Sequence, residues 1–141
     1  MPYKFLEHTA DIRIEVKAKS LKEVFESAFL SVMHYLGGEN LKLNGQVKRL
    51  INISAFDKTS LLIDFLNEVL ASAQIHKEIY TNVKFNFFPD ENDAGELFLE
   101  AEISGGETES FLKDIKAITY HEANLVKDEK GEWSTIIVFD I

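Results

Sequence analysis

Residues 11–38 read DIRIEVKAKSLKEVFESAFLSVMHYLGG, and two periodicities meet inside them. From Asp11 to Lys17 the residues alternate. Ile12, Ile14 and Val16 fall on one face, and Asp11, Arg13, Glu15 and Lys17 on the other. A period of two with one apolar face is the pattern of a half-buried strand. At Ser20 the period changes. Ser20 and Glu23 have the spacing of a capping box, in which the hydroxyl accepts from the main-chain N–H three residues on. Leu21, Val24, Phe25, Ala28, Phe29, Val32 and Leu36 then recur at helical spacing as one apolar stripe. Gly37 and Gly38 stop it. The spacing predicts a strand followed by a helix over Ser20–Leu36.

The pattern extends in both directions. Tyr3–His8 is strand-like, and GQVKRLINISAF (45–56) reads as a strand with Val47, Leu50 or Ile51, and Ile53 as core candidates. Asp57 is placed to N-cap a second helix running to His76. Its buried face is Leu61, Leu62, Phe65, Leu66, Val69, Leu70 and Ala73. The remainder reads as β. YTNVKFNFF (80–88) and GELFLEAEIS (95–104) are joined by the turn PDENDAG, and Gly105–Gly106 reads as a flexible loop. DIKAITYHEANLV (114–126) and WSTIIVFDI (133–141) are joined by the polar loop KDEKGE, with Gly131 in it. Strands cluster after the helices. The expected fold is therefore α+β, a single domain over 1–141, with two main helices packed on a largely antiparallel or mixed sheet.

Composition narrows the function. A chain of 141 residues, 45% hydrophobic and with eleven Phe, can build one core without staples. There is no Cys, which excludes disulfides, thiolate zinc sites and a Cys nucleophile. The formal charge of −9 opposes tight binding to nucleic acid, because phosphate neutralisation needs Lys and Arg. It suits a cation or a basic partner surface. The N-terminus lacks a basic-then-apolar signal pattern and the apolar runs are far shorter than a membrane span, so a cytoplasmic, soluble protein is expected.

The polar residues that could carry chemistry are His8, Asp11, Asp57, Asp64, Lys116, His121 and Asp140, with the carboxylate of Ile141. Asp11 starts a strand on its polar face, where an Asp more often caps its own backbone. His8 stands at a strand end. Lys116 and His121, read in one strand, have opposite parity and face opposite sides. Asp140 shares its face with Ile136 and Val138, and a carboxylate in line with buried aliphatics is costly unless paired or metal-bound. Two Asp side chains and a terminal carboxylate would make an all-oxygen site, suited to Ca²⁺ or Mg²⁺ more than to zinc. No Walker A loop and no G-x-S-x-G occur.

Four segments, EHTADI, LLIDFLNEVL, IKAITYHE and the terminal VFDI, give the sequence a resemblance to the archease family. They come in family order and span nearly the whole chain. The resemblance implies a small acidic α+β accessory protein, not itself an enzyme. Its partner would be the RtcB-type tRNA-splicing RNA ligase, which uses GTP and Mn²⁺. The implied role is to promote guanylylation and multiple turnover of that ligase. The resemblance also implies a divalent-metal site, with Ca²⁺ as the expected ion and Mg²⁺ or Mn²⁺ as others. Its ligands would be Asp11, Asp140 and Ile141, with Lys116 close by and His8 and His121 as further neighbours. The sequence departs from the family pattern at Arg13, where Gly is usual, and at Phe65, where Trp is usual. Its Gly106–Glu107 loop also lacks an expected His. Two other readings compete: a general chaperone or holdase, and a small metal-dependent hydrolase using Asp11 and His121.

Overall fold

The computed structural model describes residues 11–38 and 46–141. The strand expected at Tyr3–His8, and His8 itself, lie outside them. In chain order the elements are β1 (Asp11–Ala18), α1 (Leu21–Gly37), β2 (Val47–Ala55), α2 (Lys58–His76), β3 (Glu78–Phe87), β4 (Leu97–Glu107), β5 (Ala117–Thr119), β6 (Val126–Lys127) and β7 (Trp133–Asp140). The α+β class holds, but the described strands form two antiparallel sheets rather than one. The first has the order β1-β7-β5, with β6 also on β7, and the second the order β2-β4-β3.

Both helices start where their caps place them. Ser20 Oγ accepts from Glu23 N–H at 3.2 Å, and Asp57 Oδ1 accepts from Ser60 N–H at 2.7 Å. These bonds satisfy main-chain donors that have no partner inside the helix. The apolar stripes of α1 and α2 face each other and both sheets. Phe25, Phe29, Phe65 and Phe139 are fully buried. Phe25 meets Phe65 and Phe88 at ring-centroid distances of 6.0 and 5.0 Å. In β2 the inward phase belongs to Ile51, while Leu50 is exposed.

Two expectations are corrected by the ladders. Gly105–Gly106 is not a loop but part of β4, where Gly105 pairs with Val47 on one side and Tyr80 on the other. A Cβ at Gly105 would collide with the Ile79 carbonyl and Tyr80 Cα, so only glycine allows the strands this approach. The span 114–126 is not one strand. Its pairing with β7 stops at Thr119↔Val138 and resumes at Val126↔Ser134. Six residues, 120–125, thus stand against three on β7. They leave the sheet as a turn closed by Ala123 N–H to Tyr120 C=O at 3.1 Å, with Glu122 in the left-handed region at φ 61°.

The second sheet is tied together by one buried carboxylate. Glu78 is 3% exposed and receives Arg49 Nε at 3.0 Å, Arg49 Nη2 at 2.8 Å and the Tyr80 hydroxyl at 2.8 Å. Since Tyr80 donates to Glu78, the 2.7 Å contact with Ser72 Oγ must be a donation from Ser72. The guanidinium of Arg49 holds Glu78 below the ordinary glutamate value of 4.5, and burial pushes the Tyr80 phenol up.

A depressed carboxylate stabilises the fold above its unfolded pKa, and that contribution fades as pH falls through the folded pKa. We expect the thermal midpoint to drop below pH about 4.5, and Arg49→Met to remove part of that drop while lowering stability at pH 7. Phe139→Ala, at the centre of the first sheet, should cost about 3–5 kcal/mol in urea unfolding.

Candidate functional site

Strand β7 lies between β1 and β5, and all three run antiparallel to their neighbours. The register places Asp140 opposite Asp11 on one side and opposite Ala117 on the other. Paired residues of adjacent strands project from the same face, with Cα atoms about 5 Å apart. In β1 and β7 the core face holds Ile12, Ile14, Val16 and, opposite them, Phe139, Ile137 and Thr135. Asp11 and Asp140 therefore project together from the outer face. Ile141 has the opposite phase. Its side chain packs against the core, which fixes the main chain immediately after Asp140.

Asp140 is exposed, although Val138 on the same face is buried. The expected cost of burying Asp140 is thus not what marks this site. Juxtaposition does. Like charges directly opposite in an antiparallel pair repel, and a cation between them removes the repulsion. Among the described residues no group of three or more His, Cys, Asp or Glu side chains converges to hold a metal. A site here has two side-chain carboxylates and needs main-chain oxygen or water to fill its coordination. The donors present, all oxygen, fit a hard divalent cation.

The segment after Asp114 frames the pair. Lys116 is exposed, and its N–H donates to the Asp140 carbonyl at 2.7 Å. It precedes β5 rather than lying in it, and His121 lies in the turn beyond β5. The parity expected of these two residues in one strand therefore does not apply. His121 is exposed, and its N–H donates to Thr119 Oγ1 at 3.3 Å. Thr119 pairs with Val138, two residues along from Asp140, so the ladder carries the chain away from Asp11 before it reaches His121. Among the described residues no hydrogen bond or ion pair joins His121 to Asp11.

Side chains outside the acidic pair hold this segment. Arg13 Nη2 meets Glu122 Oε1 at 2.7 Å, bridging β1 to the turn across β7. The Tyr120 hydroxyl donates to Asp64, and that bond pushes the Tyr120 phenol up to about 12. Asn67 and Gln74 of α2 bond to the main chain of Ile118 and Ile115, and Thr59 Oγ1 accepts from Leu125 N–H. One signal was legible. Thr59, Asn67 and Gln74 recur near helical spacing, so polar residues interrupt a face of α2 that also carries Ile63 and Leu70.

Fold and sequence comparisons agree on the class of protein. The profile of the archease protein family matches residues 3–141. The chain is 34% identical over 143 residues to the archease of Methanosarcina acetivorans, covering 99% of this chain and 95% of that one. It is 30% identical over 139 residues to the archease of Pyrococcus abyssi, covering 96% and 95%. The solution structure of Methanobacterium thermoautotrophicum protein 1598 superposes with a TM-score of 0.73 at 27% identity, over 96% of each chain. The crystal structure of a Thermotoga maritima archease, described as a possible chaperone, shares the fold with a TM-score of 0.63 at 22% identity, over 99% of this chain and 97% of that one. The chain belongs to the archease family.

If Asp11 and Asp140 repel across the ladder, neutralising one relieves the metal-free protein. Asp140→Asn should raise the melting temperature in chelator at low ionic strength, and the gain should shrink in high salt. A gain that is independent of salt would assign it to something other than this charge pair.

Proposed function

We propose that this archease is a metal-binding accessory protein that activates an RtcB-type RNA ligase. Its cation, with Ca²⁺ the expected ion and Mg²⁺ or Mn²⁺ as others, is held by Asp11, Asp140 and the main-chain carboxyl oxygens of Ile141. One observation carries this reading. In a chain of this family, the β1–β7 register sets Asp11 and Asp140 side by side on the outer face, with Ile141 next in line.

When bound, the cation supplies a concentrated positive charge in an otherwise acidic surface. The chain's own residues supply the rest. Asp11 and Asp140 bind it from two strands, the packed side chain of Ile141 orients the following carboxyl group, and the exposed Lys116 presents its ammonium to a partner. With a formal charge of −9 the protein approaches a basic protein surface more readily than RNA. Ligase activation then proceeds through protein contact, and among the described residues no helix is long and apolar enough to cross a membrane.

A ligation assay under limiting ligase tests the proposal. The native chain should support multiple turnover. Asp11→Ala and Asp140→Ala should abolish that activation and calcium-dependent stabilisation while leaving the fold intact by circular dichroism. Residues appended after Ile141 should do similar damage. An extended chain that activates as well as the native one contradicts the role of Ile141. Strong, salt-sensitive RNA binding by the isolated protein would contradict the partner assignment.

A second reading has an observation of its own. The outer face of the β2-β4-β3 sheet exposes Leu50, Phe87 and Phe98, with Phe56 following β2, and Phe87 and Phe98 line a cleft of about 360 Å³. Exposed aromatic surface of this kind is what a holdase needs. Suppression of client aggregation that Phe98→Ser removes and Asp140→Ala spares would favour it.

A further inference from the structure

β5 is three residues long, and among the described residues only β7 pairs with it. So short a strand, bonded along one edge, has little stability of its own. One side chain closes its other edge. Asn67 of α2 accepts from Ile118 N–H at 2.9 Å and donates to Ile118 C=O at 2.8 Å. Its NH₂ also donates to Ile63 C=O, within its own helix, at 3.1 Å. A bond to both N–H and C=O of one residue is what an adjoining antiparallel strand would make. The amide therefore stands in for a missing strand. Its orientation follows from its partners, since the N–H requires the amide oxygen and the carbonyl requires the NH₂. Next to this clamp, Ala117 lies opposite Asp140 and Lys116 N–H donates to the Asp140 carbonyl.

We propose that Asn67 is the positioning residue of the Asp11–Asp140 site, so that docking of β5 on α2 and cation binding at the end of β7 are coupled. This rests on the reading of the site given above. With β5 docked, Asp140 is held between two strands. With β5 released, the end of β7 keeps only β1, and its backbone must be ordered when the cation binds. Docking in advance removes that cost. The coupling is reciprocal, so a cation at Asp140 must favour docked β5 by the factor with which docking favours the cation.

Calcium titrations by calorimetry, at a temperature where every variant is folded, test this. The native chain is compared with Asn67→Leu, Asn67→Asp and Thr59→Val. Asn67→Leu should weaken calcium binding by about tenfold or more, the usual effect of removing a residue that orients a ligand. Asn67→Asp keeps the acceptor for Ile118 N–H but turns a carboxylate toward Ile118 C=O, and should fall between. Thr59→Val removes another bond from the same helix, to Leu125 N–H beyond β5, and should leave affinity unchanged. Calcium should also slow hydrogen exchange at Ile118 in the native chain and not in Asn67→Leu. Calcium binding that is equal in the native chain and Asn67→Leu, or that Thr59→Val weakens as much, overturns the coupling and leaves the site standing. No calcium binding by the native chain overturns the site and the coupling together.

Discussion

Strand β7 is the only described member of its sheet with hydrogen-bonded partners on both sides, and the arrangement of the candidate site depends on that. Its inward residues, Ile137 and Phe139, are fully buried, and Phe139 packs edge-on against Tyr35 of α1 with ring centroids 5.7 Å apart. A slip of one residue would turn these side chains to solvent, so the core enforces the register. The same register brings Asp140 level with Asp11. The placement of the acidic pair is thus a by-product of packing, since the strands cannot slide the two carboxylates apart without exposing these core residues.

Several constraints act on the short segment beside it. The polar side chains of α2 reach Ile115, Ile118 and Leu125, and Arg13 reaches Glu122 from the far side of β7. Glu122 occupies a left-handed conformation that non-glycine residues rarely adopt, which these attachments hold in place. The family resemblance implies Gly at position 13, where this chain has Arg13. Here it has a structural partner in Glu122, so this departure alters the surface beside the acidic pair without disturbing the β1–β7 register.

The elements carried by local chemistry were legible in the sequence. Ser20 and Asp57 cap the two helices as their side chains suggest, and alternation located β1, but not the phase of β7, whose core-facing residues are Thr135, Ile137 and Phe139 rather than Ile136. The pairing of Asp11 with Asp140 follows from the family resemblance and not from local pattern, because Asp140 shares its phase with Ile136 and Val138. Three further features were not legible, each for a tertiary reason. The break between β5 and β6 arises where side chains of α2, β1 and β7 draw the main chain out of the ladder. Gly105 reads as a loop residue until the closeness of β3 is known. The strands' division between two sheets follows from how α1 and α2 cover them, which no local pattern states. Asp140 is exposed and bears no burial cost, so its proximity to Asp11 is the better physical ground for a site here.

The proposed site holds one cation where β1, β5 and β7 meet. Mapping amide chemical shifts during a calcium titration tests it most directly. The account predicts saturable shifts concentrated at Asp11, Lys116, Ala117, Asp140 and Ile141, lost in Asp140→Asn. No shifts, or shifts centred on the acidic Asp90–Asp93 turn and unaffected by Asp140→Asn, would contradict it.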